Sequence, residues 1–367
     1  MTDQEYMTHA LELARKGCGF VSPNPMVGAV IVKNNKVIGQ GWHEKYGQLH
    51  AERNALVGCK ESPHGATLYV TLEPCCHYGK TPPCTDAILE SGITRVVIGT
   101  LDPNPLVSGK GVSILQAKGI EVLSGVLEKE CLELNQVFFH YIKTKTPYVV
   151  MKYAMTMDGK IATSTGKSKW ITGDQARIHV HKERHRYTGI MVGVGTVIAD
   201  NPMLTCRLEN GCNPIRIICD THLRTPLNAQ VVATASSVRT IIATCCAEKD
   251  RYMPYEIAGC EILLIPKEDN HIDLQILMQQ LGILKIDSLI LEGGGTLNAS
   301  AMQSGIVNKV QAYIAPKLFG GDEARTPIGG SGIDEPTYCF KLKNQKLTWF
   351  GEDLLLESEV EYPCLQE

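Results

Sequence analysis

The segment TLEPCCHYGKTPPC, residues 71–84, places three cysteines and a histidine in one short stretch that contains three prolines. Such a segment suits a disulfide, a structural zinc site with four protein ligands, or one wall of a catalytic zinc site. The 14 cysteines of the chain run from Cys18 to Cys364 without a repeated spacing, and the first residues lack the basic flank and apolar block of a signal peptide. The scattered cysteines and the lack of signal-peptide features predict free thiols in a reducing compartment. The disulfide is therefore the weakest of the three interpretations.

A second part of the pattern lies upstream, where His50-Ala-Glu52 begins a predicted helix. A catalytic zinc site has three protein ligands and keeps the fourth position for water. His50, Cys75 and Cys84 satisfy that count, and both thiols lie near helix starts, where the helix dipole favours the thiolate. Zinc lowers the pKa of its bound water to near neutral, so the water readily loses a proton. Glu52 is the residue expected to carry that proton.

The residue pattern leaves two points open. Cys76 or His77 could supply a fourth ligand and close the site, although a structural site would give Glu52 no role. Adjacent cysteines point in different directions, so the spacing does not decide between Cys75 and Cys76. His-x-Glu upstream of Pro-Cys and a further Cys is the signature of zinc deaminases that act on a nucleobase amino group. Here the cysteines are nine positions apart, which departs from the nucleoside deaminases.

Length and composition predict an ordinary globular protein of two domains. At 367 residues the chain exceeds the usual size of a single core, and a basic link before residue 146 marks the predicted boundary between domains 1–145 and 146–367. A net charge of −3 and 6% aromatic residues argue against a nucleic-acid partner. No apolar run could span a bilayer. We therefore expect a cytoplasmic protein without a membrane partner; apolar residues near the boundary permit a homo-oligomer without showing one.

Both halves have the alternation of an α/β protein. The segment VGAVIVKNNKVIGQGW, residues 27–42, predicts a hairpin, and the strands and helices after it predict a mainly parallel sheet. In the helix after the cysteine segment, Thr81 is the predicted N-cap. In the second half we predict seven strands and three helices, including a helix over 271–281.

A glycine cluster stands out in the second half, in SLILEGGGTLNASAMQSG, residues 288–305. An apolar strand leads into three glycines and a helix, and the exposed amides of a helix start favour phosphate. Asn298 occupies the third glycine position of the dinucleotide fingerprint, so an ordinary Rossmann motif is absent. A lone glycine cluster is more often a tight turn, so by itself this half predicts only an α/β domain in which a phosphate site is the alternative interpretation.

Several motifs resemble the RibD family of bifunctional riboflavin-biosynthesis enzymes, and the resemblance covers nearly the whole chain. In the first half they are SPNPMVGAVIV, HAE and TLEPCCHYGKTPPC; in the second they are MKYAMTMDGKIA, KSKWITG, GVGTVIADNPMLTCR, LILEGGGTLNASAM and AYIAPKLFGG. The resemblance implies a cytidine-deaminase-like three-layer domain followed by a dihydrofolate-reductase-like α/β domain. It also implies zinc-dependent deamination of the pyrimidine ribotide 2,5-diamino-6-(5-phosphoribosylamino)pyrimidin-4-one to the uracil. NADPH-dependent reduction of the ribosyl group to ribityl would follow.

The resemblance also implies site residues. In the first half it favours Cys75 as the ligand, because the family pattern does not require a cysteine at position 76, and it makes four residues candidates for holding the base or phosphate: Asn24, His43, His77 and Lys80. The implied NADPH contacts are Ala154, Trp170, Thr196, Asp200, Thr221, Gly294, Gly295, Thr296, Leu297, Asn298, Ala299 and Ser300. The implied substrate contacts are Ser168, Arg184, Leu204, Arg207 and Glu292. Lys152 is a weaker candidate for polarising the sugar oxygen.

Overall fold

The computed structural model describes residues 1–78, 82–104 and 108–362. The chain divides into two compact units, Met1–Lys145 and Thr146–Glu367. The predicted N-cap Thr81 and the candidate Lys80 lie outside the described residues. Within the described part, no helix is long and apolar enough to cross a membrane.

A five-stranded sheet forms the centre of the first unit. Across the sheet the strands are β2 (Lys36–Trp42), β1 (Gly28–Lys33), β3 (Thr67–Leu72), β4 (Arg95–Thr100) and β5 (Glu121–Ser124). Strand β1 is antiparallel to both β2 and β3, whereas β3, β4 and β5 are parallel. The turn between β1 and β2 has positive φ angles of 48° and 61° at Asn34 and Asn35, as a tight hairpin requires. The predicted hairpin and parallel remainder are therefore confirmed.

Helices cover both faces of this sheet, which makes the first unit three-layered. Side chains alternate along β1, so that Ala29 and Ile31 belong to one apolar cluster whereas Val30 and Val32 belong to the other. The first cluster includes residues of four helices: α2 (Ala51–Val57), α3 (Cys84–Glu90), α4 (Lys110–Ala117) and α6 (Gln136–Thr144). The second includes residues of α1 (Asp3–Arg15) and α5 (Glu128–Leu134).

Gly28 marks the closest approach of helix α1 to the sheet. A Cβ atom at this position would overlap the Ala10 carbonyl oxygen and lie 2.7 Å from the Ala14 nitrogen. We expect Gly28→Ala to lower the free energy of unfolding by about 3 kcal/mol, because backbone atoms cannot yield as a flexible side chain does. Thermal unfolding measures the effect. Gly195→Ala is the control, since its added methyl group meets nothing within 4 Å; equal midpoints for the two variants would contradict the prediction.

A nine-stranded sheet forms the centre of the second unit. Across it the order is β10 (Glu261–Leu264), β9 (Thr240–Thr244), β8 (Ile215–Cys219), β7 (Gly189–Gly193), β13 (Ser288–Leu291), β6 (Tyr148–Thr156), β14 (Val307–Ala315), β16 (Asp353–Glu361) and β15 (Lys341–Phe350). The strands from β10 to β14 are parallel, and β16 and β15 add an antiparallel edge. The central strands are buried and mostly aliphatic, as expected for a parallel sheet covered on both faces.

Among the residues described up to 362, six helices accompany this sheet: α7 (Asp174–Arg186), α8 (Val194–Asp200), α9 (Gln230–Ala233), α10 (Lys249–Ile257), α11 (Leu274–Ile283) and α12 (Gly295–Gln303), with a 3-10 turn at Pro336–Tyr338. The helix prediction over 271–281 is wrong at its start. His271–Ile272 forms strand β12, which pairs with β11 (Lys267–Glu268). The helix begins only after Asp273, whose carboxylate accepts the Ile276 N–H at 2.9 Å.

Candidate active sites

The first candidate site brings His50, Cys75 and Cys84 together. His50 caps helix α2, Cys84 is the first residue of α3, and Cys75 follows strand β3. The His50 Nδ1 atom lies 3.5 Å from Cys75 Sγ and 3.4 Å from Cys84 Sγ. Tetrahedral zinc with ordinary bond lengths needs a nitrogen–sulfur separation of about 3.6 Å. The donor atoms, which all lie within 4.8 Å of one another, therefore fit a zinc ion.

A hydrogen bond joins the two thiols of this site. The Cys84 side chain donates to Cys75 and lowers the pKa of Cys75 to about 4, and the His50 side chain acts in the same direction. The same hydrogen bond and burial raise the pKa of Cys84. The hydrogen bond thus favours the thiolate form of Cys75, and zinc binding would release the Cys84 proton. Burial raises the pKa of the neighbouring Cys76, which is not part of the donor group, and His77 is exposed.

Glu52 lies beside these donors in the first turn of α2. Its side chain is only 3% exposed, and burial raises the pKa of its carboxyl group. Interaction with the nearby Cys84 side chain acts on this pKa in the opposite direction, as a smaller effect than burial. A buried acid whose pKa is moved toward neutrality can both take up and release a proton, as general acid–base catalysis requires.

Two further predicted residues lie close to the zinc donors. His43 is buried, and its ring packs edge-on against His50 with the ring centroids 5.4 Å apart. Its Nδ1 lies 3.0 Å from the Leu49 carbonyl oxygen, and its Nε2 lies 3.2 Å from Asn24 Nδ2. Burial lowers the pKa of His43, so the neutral ring donates to Leu49 and accepts from Asn24. This chain of hydrogen bonds fixes the residue that precedes His50.

The sequence analysis missed Glu73, which joins two parts of the first unit. Its buried carboxylate accepts the backbone N–H groups of Asp102, Gly109 and Val112 at 3.2, 3.0 and 3.2 Å. These contacts tie the segment after β4 and the start of α4 to the chain beside Cys75. The sequence signal for this role of Glu73 is its position between an apolar strand and Pro74, because a buried carboxylate needs hydrogen-bond donors.

The second candidate site is a cleft of about 2020 Å³ at the carboxyl ends of the parallel strands. Most of the predicted site residues line it: Ala154, Ser168, Trp170, Arg184, Thr196, Asp200, Leu204, Arg207, Thr221, Glu292, Gly294, Gly295, Thr296, Leu297 and Ser300. Asn298 and Ala299 do not, because both are buried in helix α12. The Asn298 side chain donates instead to the Pro327 carbonyl oxygen at 2.9 Å. Asn298, which stands at the third glycine position of the dinucleotide fingerprint, therefore bonds to the protein backbone instead of lining the cleft.

A buried ion cluster lies in the cleft. Arg184 donates to both carboxylate oxygens of Glu292 at 2.8 and 2.9 Å, and the Lys152 Nζ atom lies 3.7 Å from Glu292 Oε2. Although burial opposes ionisation, Arg184 and Lys152 hold the pKa of Glu292 at about 2. Burial lowers the pKa of Lys152. Arg184 also donates to the Thr205 carbonyl oxygen at 3.1 Å, so its guanidinium is largely committed to protein partners.

Comparisons with known proteins agree with both sites. Residues 1–100 match the family "Cytidine and deoxycytidylate deaminase zinc-binding region", and residues 147–356 match "RibD C-terminal domain". The chain is 54% identical to riboflavin biosynthesis protein RibD of Actinobacillus pleuropneumoniae over 99% of this chain and 96% of that protein. The chain belongs to the RibD family. It is 39% identical to RibD of Escherichia coli K12, over 97% of this chain and 99% of that one.

Solved structures of RibD proteins have the same fold. A Thermotoga maritima protein described as a diaminohydroxyphosphoribosylaminopyrimidine deaminase and 5-amino-6-(5-phosphoribosylamino)uracil reductase superposes with a TM-score of 0.87, at 40% identity and 98% coverage of both chains. RibD of Acinetobacter baumannii also gives 0.87, at 36% identity, over 98% of this chain and 99% of that one. The predicted family, fold class and activities are confirmed: this is a deaminase and reductase of riboflavin biosynthesis. Zinc and NADPH are confirmed as the cofactors of its family.

Proposed function

We propose that residues 1–145 convert 2,5-diamino-6-(5-phosphoribosylamino)pyrimidin-4-one to the corresponding uracil, and that residues 146–367 then reduce its ribosyl group to ribityl. The observation that carries the proposal is the zinc donor set with the buried Glu52 beside it. Three donors suit a catalytic site rather than a structural one. The named activities of the Thermotoga maritima relative, whose chain aligns almost completely with this one, support the same substrate.

In the proposed deamination, water replaces the ring amino group by a carbonyl oxygen and ammonia leaves. When bound by His50, Cys75 and Cys84, zinc supplies the acidity that makes water nucleophilic at neutral pH. Glu52 accepts one proton from that water and delivers it to the departing amino group. Burial raises the pKa of Glu52, which favours its acceptance of the proton from water.

In the proposed reduction, the protein chiefly orients the sugar and neutralises charge, while NADPH supplies the hydride. Glu292 holds the Lys152 ammonium group in place, so a proton at Lys152 Nζ can stabilise the oxygen that gains negative charge. Arg207 lines the cleft, is exposed, and forms no ion pair among the described residues. It is therefore better suited than Arg184 to bind the substrate phosphate.

We also place the enzyme in a reducing, cytoplasmic setting. No disulfide joins two cysteines within the described residues. A reducing compartment keeps such thiols reduced, and the zinc donors Cys75 and Cys84 need to stay so to bind the metal.

A two-step assay tests the proposed function. With zinc-loaded protein and the diaminopyrimidine ribotide, we expect ammonia to appear first and nicotinamide absorbance to fall only afterwards. Removing zinc with a chelator should stop ammonia release, because three donors without their ion leave water unactivated. Supplying the uracil ribotide directly should restore NADPH oxidation in the chelated sample. Ammonia without later NADPH oxidation would contradict the proposed reduction, and ammonia release from metal-free protein would contradict the zinc mechanism.

A further inference from the structure

A rigid turn lies at one end of the reductase cleft. Residues 220–225, here called the β8 turn, follow strand β8. The buried Asp220 carboxylate accepts the backbone N–H groups of Arg224 and Thr225 at 2.6 and 2.7 Å and the Thr225 hydroxyl at 2.8 Å. The Tyr255 hydroxyl donates to the Thr225 carbonyl oxygen at 2.6 Å. The backbone of the turn is thus fixed, while Arg224 and His222 are exposed and line the cleft.

Three of the seven lysine and arginine residues that line the cleft already have an ion-pair partner. Lys152 and Arg184 pair with Glu292, and Arg177 pairs with Asp174. Four cleft-lining cations have neither an ion pair nor a side-chain hydrogen bond among the described residues: Lys169, Arg207, Arg224 and Arg325. An unpaired cation in a cleft that receives NADPH and a sugar phosphate is suited to bind one of their anionic groups.

Three of these four cations, Arg207, Arg325 and Lys169, lie near the Arg184–Glu292 pair or near strands β6 and β14. Arg207 follows Thr205, whose carbonyl oxygen accepts a hydrogen bond from Arg184. The Arg325 carbonyl oxygen accepts the N–H of Ile161, shortly after β6, at 2.9 Å. Lys169 precedes Trp170, whose carbonyl oxygen accepts from Lys317 Nζ at 3.1 Å, just beyond β14. Arg224 differs, because it follows β8 on the other side of the sheet centre.

The order of the strands indicates how NADPH would extend along the cleft. Neighbouring strands run β6, β13, β7, β8, and three steps of about 4.8 Å place β6 and β8 about 14 Å apart. Under the proposed function, the nicotinamide would bind beside Lys152 of β6 and Glu292 after β13. Gly294 and Gly295 start helix α12 after β13 and line the cleft, so they would hold the pyrophosphate. The adenosine would then lie toward β8.

We propose that Arg224 selects NADPH over NADH by binding the 2′-phosphate of the adenosine, with His222 beside it. The inference rests on the proposed function of residues 146–367. An arginine next to the adenosine ribose is a general means of accepting the 2′-phosphate. Because Asp220 fixes the backbone of the β8 turn, only the side chain of Arg224 has to be ordered on binding, which reduces the entropy lost.

Calorimetry on the zinc-loaded full-length protein tests this role directly. The probes are 2′,5′-ADP, which carries the 2′-phosphate, and 5′-AMP, which lacks it. We expect Arg224→Ala to weaken binding of 2′,5′-ADP about 10-fold or more and to leave 5′-AMP unchanged. Arg224→Lys should recover part of the loss. The ratio of kcat/KM for NADPH to that for NADH should fall in parallel, with kcat for NADPH preserved.

Arg325→Ala is the matched control, because it removes an exposed arginine from another part of the same cleft. We expect this variant to keep the preference for 2′,5′-ADP. If Arg325→Ala loses the preference, or Arg224→Ala keeps it, the assignment of Arg224 is overturned while the reductase function stands. If the unmodified protein binds neither NADPH nor 2′,5′-ADP, the proposed function of this unit fails as well.

Discussion

Glu52→Gln should abolish deamination while the protein keeps its zinc. The amide has the shape of the carboxyl group but cannot accept the proton of water and pass it on, so we expect ammonia release to fall at least about 1000-fold. His50, Cys75 and Cys84 are unchanged, so metal analysis should still find one zinc ion per chain. Burial raises the pKa of Glu52, and a neutral side chain at this position should therefore not lower the thermal midpoint.

Glu90→Gln is the matched control for this substitution. Glu90 is exposed on helix α3, the helix that begins at Cys84, so the control makes the same chemical change near the site without touching its donors. Its ammonia release should equal that of the unmodified protein. Retained turnover in Glu52→Gln would remove this carboxyl group from the mechanism. Loss of zinc from Glu52→Gln would instead show that Glu52 supports the metal rather than the proton transfer.

The zinc site could be predicted from the sequence because its chemistry depends on short segments. A histidine at a helix start, a cysteine after a β-strand and a cysteine at the next helix start are local signals, and the Glu52 position follows from its spacing to His50. The choice between Cys75 and Cys76 is not local. It depends on how the chain leaves strand β3, and the folded chain brings Cys75 within 3.5 Å of His50 Nδ1.

The reductase cleft was harder to predict, because its residues come from strands far apart in the sequence. Lys152 and Glu292 are separated by 140 positions but meet because β6 and β13 are neighbours. Only the family resemblance suggested Glu292, and nothing in the sequence showed that Arg184 is committed to it. The edge hairpin of β15 and β16 was not predicted either; the residues of β15 are mostly exposed and lack a clear apolar alternation.

Glu292→Gln should have the largest effect on the second unit, because it leaves Arg184 and Lys152 buried beside a neutral group. Breaking such a buried cluster costs about 3–5 kcal/mol of unfolding free energy. We expect NADPH oxidation with the uracil ribotide to fall at least about 100-fold, because Lys152 loses the carboxylate that positions its ammonium group. Ammonia release by the first unit should be preserved, which shows that the protein still folds there.

Glu261→Gln is the control for charge loss in an arginine–glutamate pair at the surface. Arg239 contacts both Glu261 oxygens at 2.7 and 2.9 Å, but the two side chains are 39% and 49% exposed. Water screens this pair, so the substitution should cost less than about 1 kcal/mol. Equal losses in the two variants would contradict the importance of burial around Glu292.

The pH dependence of the stability difference separates the charge of Glu292 from its shape. The folded-state pKa of Glu292 is about 2, below the unfolded value of about 4.3. A lowered pKa contributes stability that is fully present above the unfolded value and is lost as pH falls toward the folded one. The difference in unfolding free energy between the unmodified protein and Glu292→Gln should therefore be constant near pH 7 and shrink between about pH 4.3 and 2. A difference that stays constant through this range would mean that packing of the side chain, not its negative charge, holds Arg184 and Lys152 in the cleft.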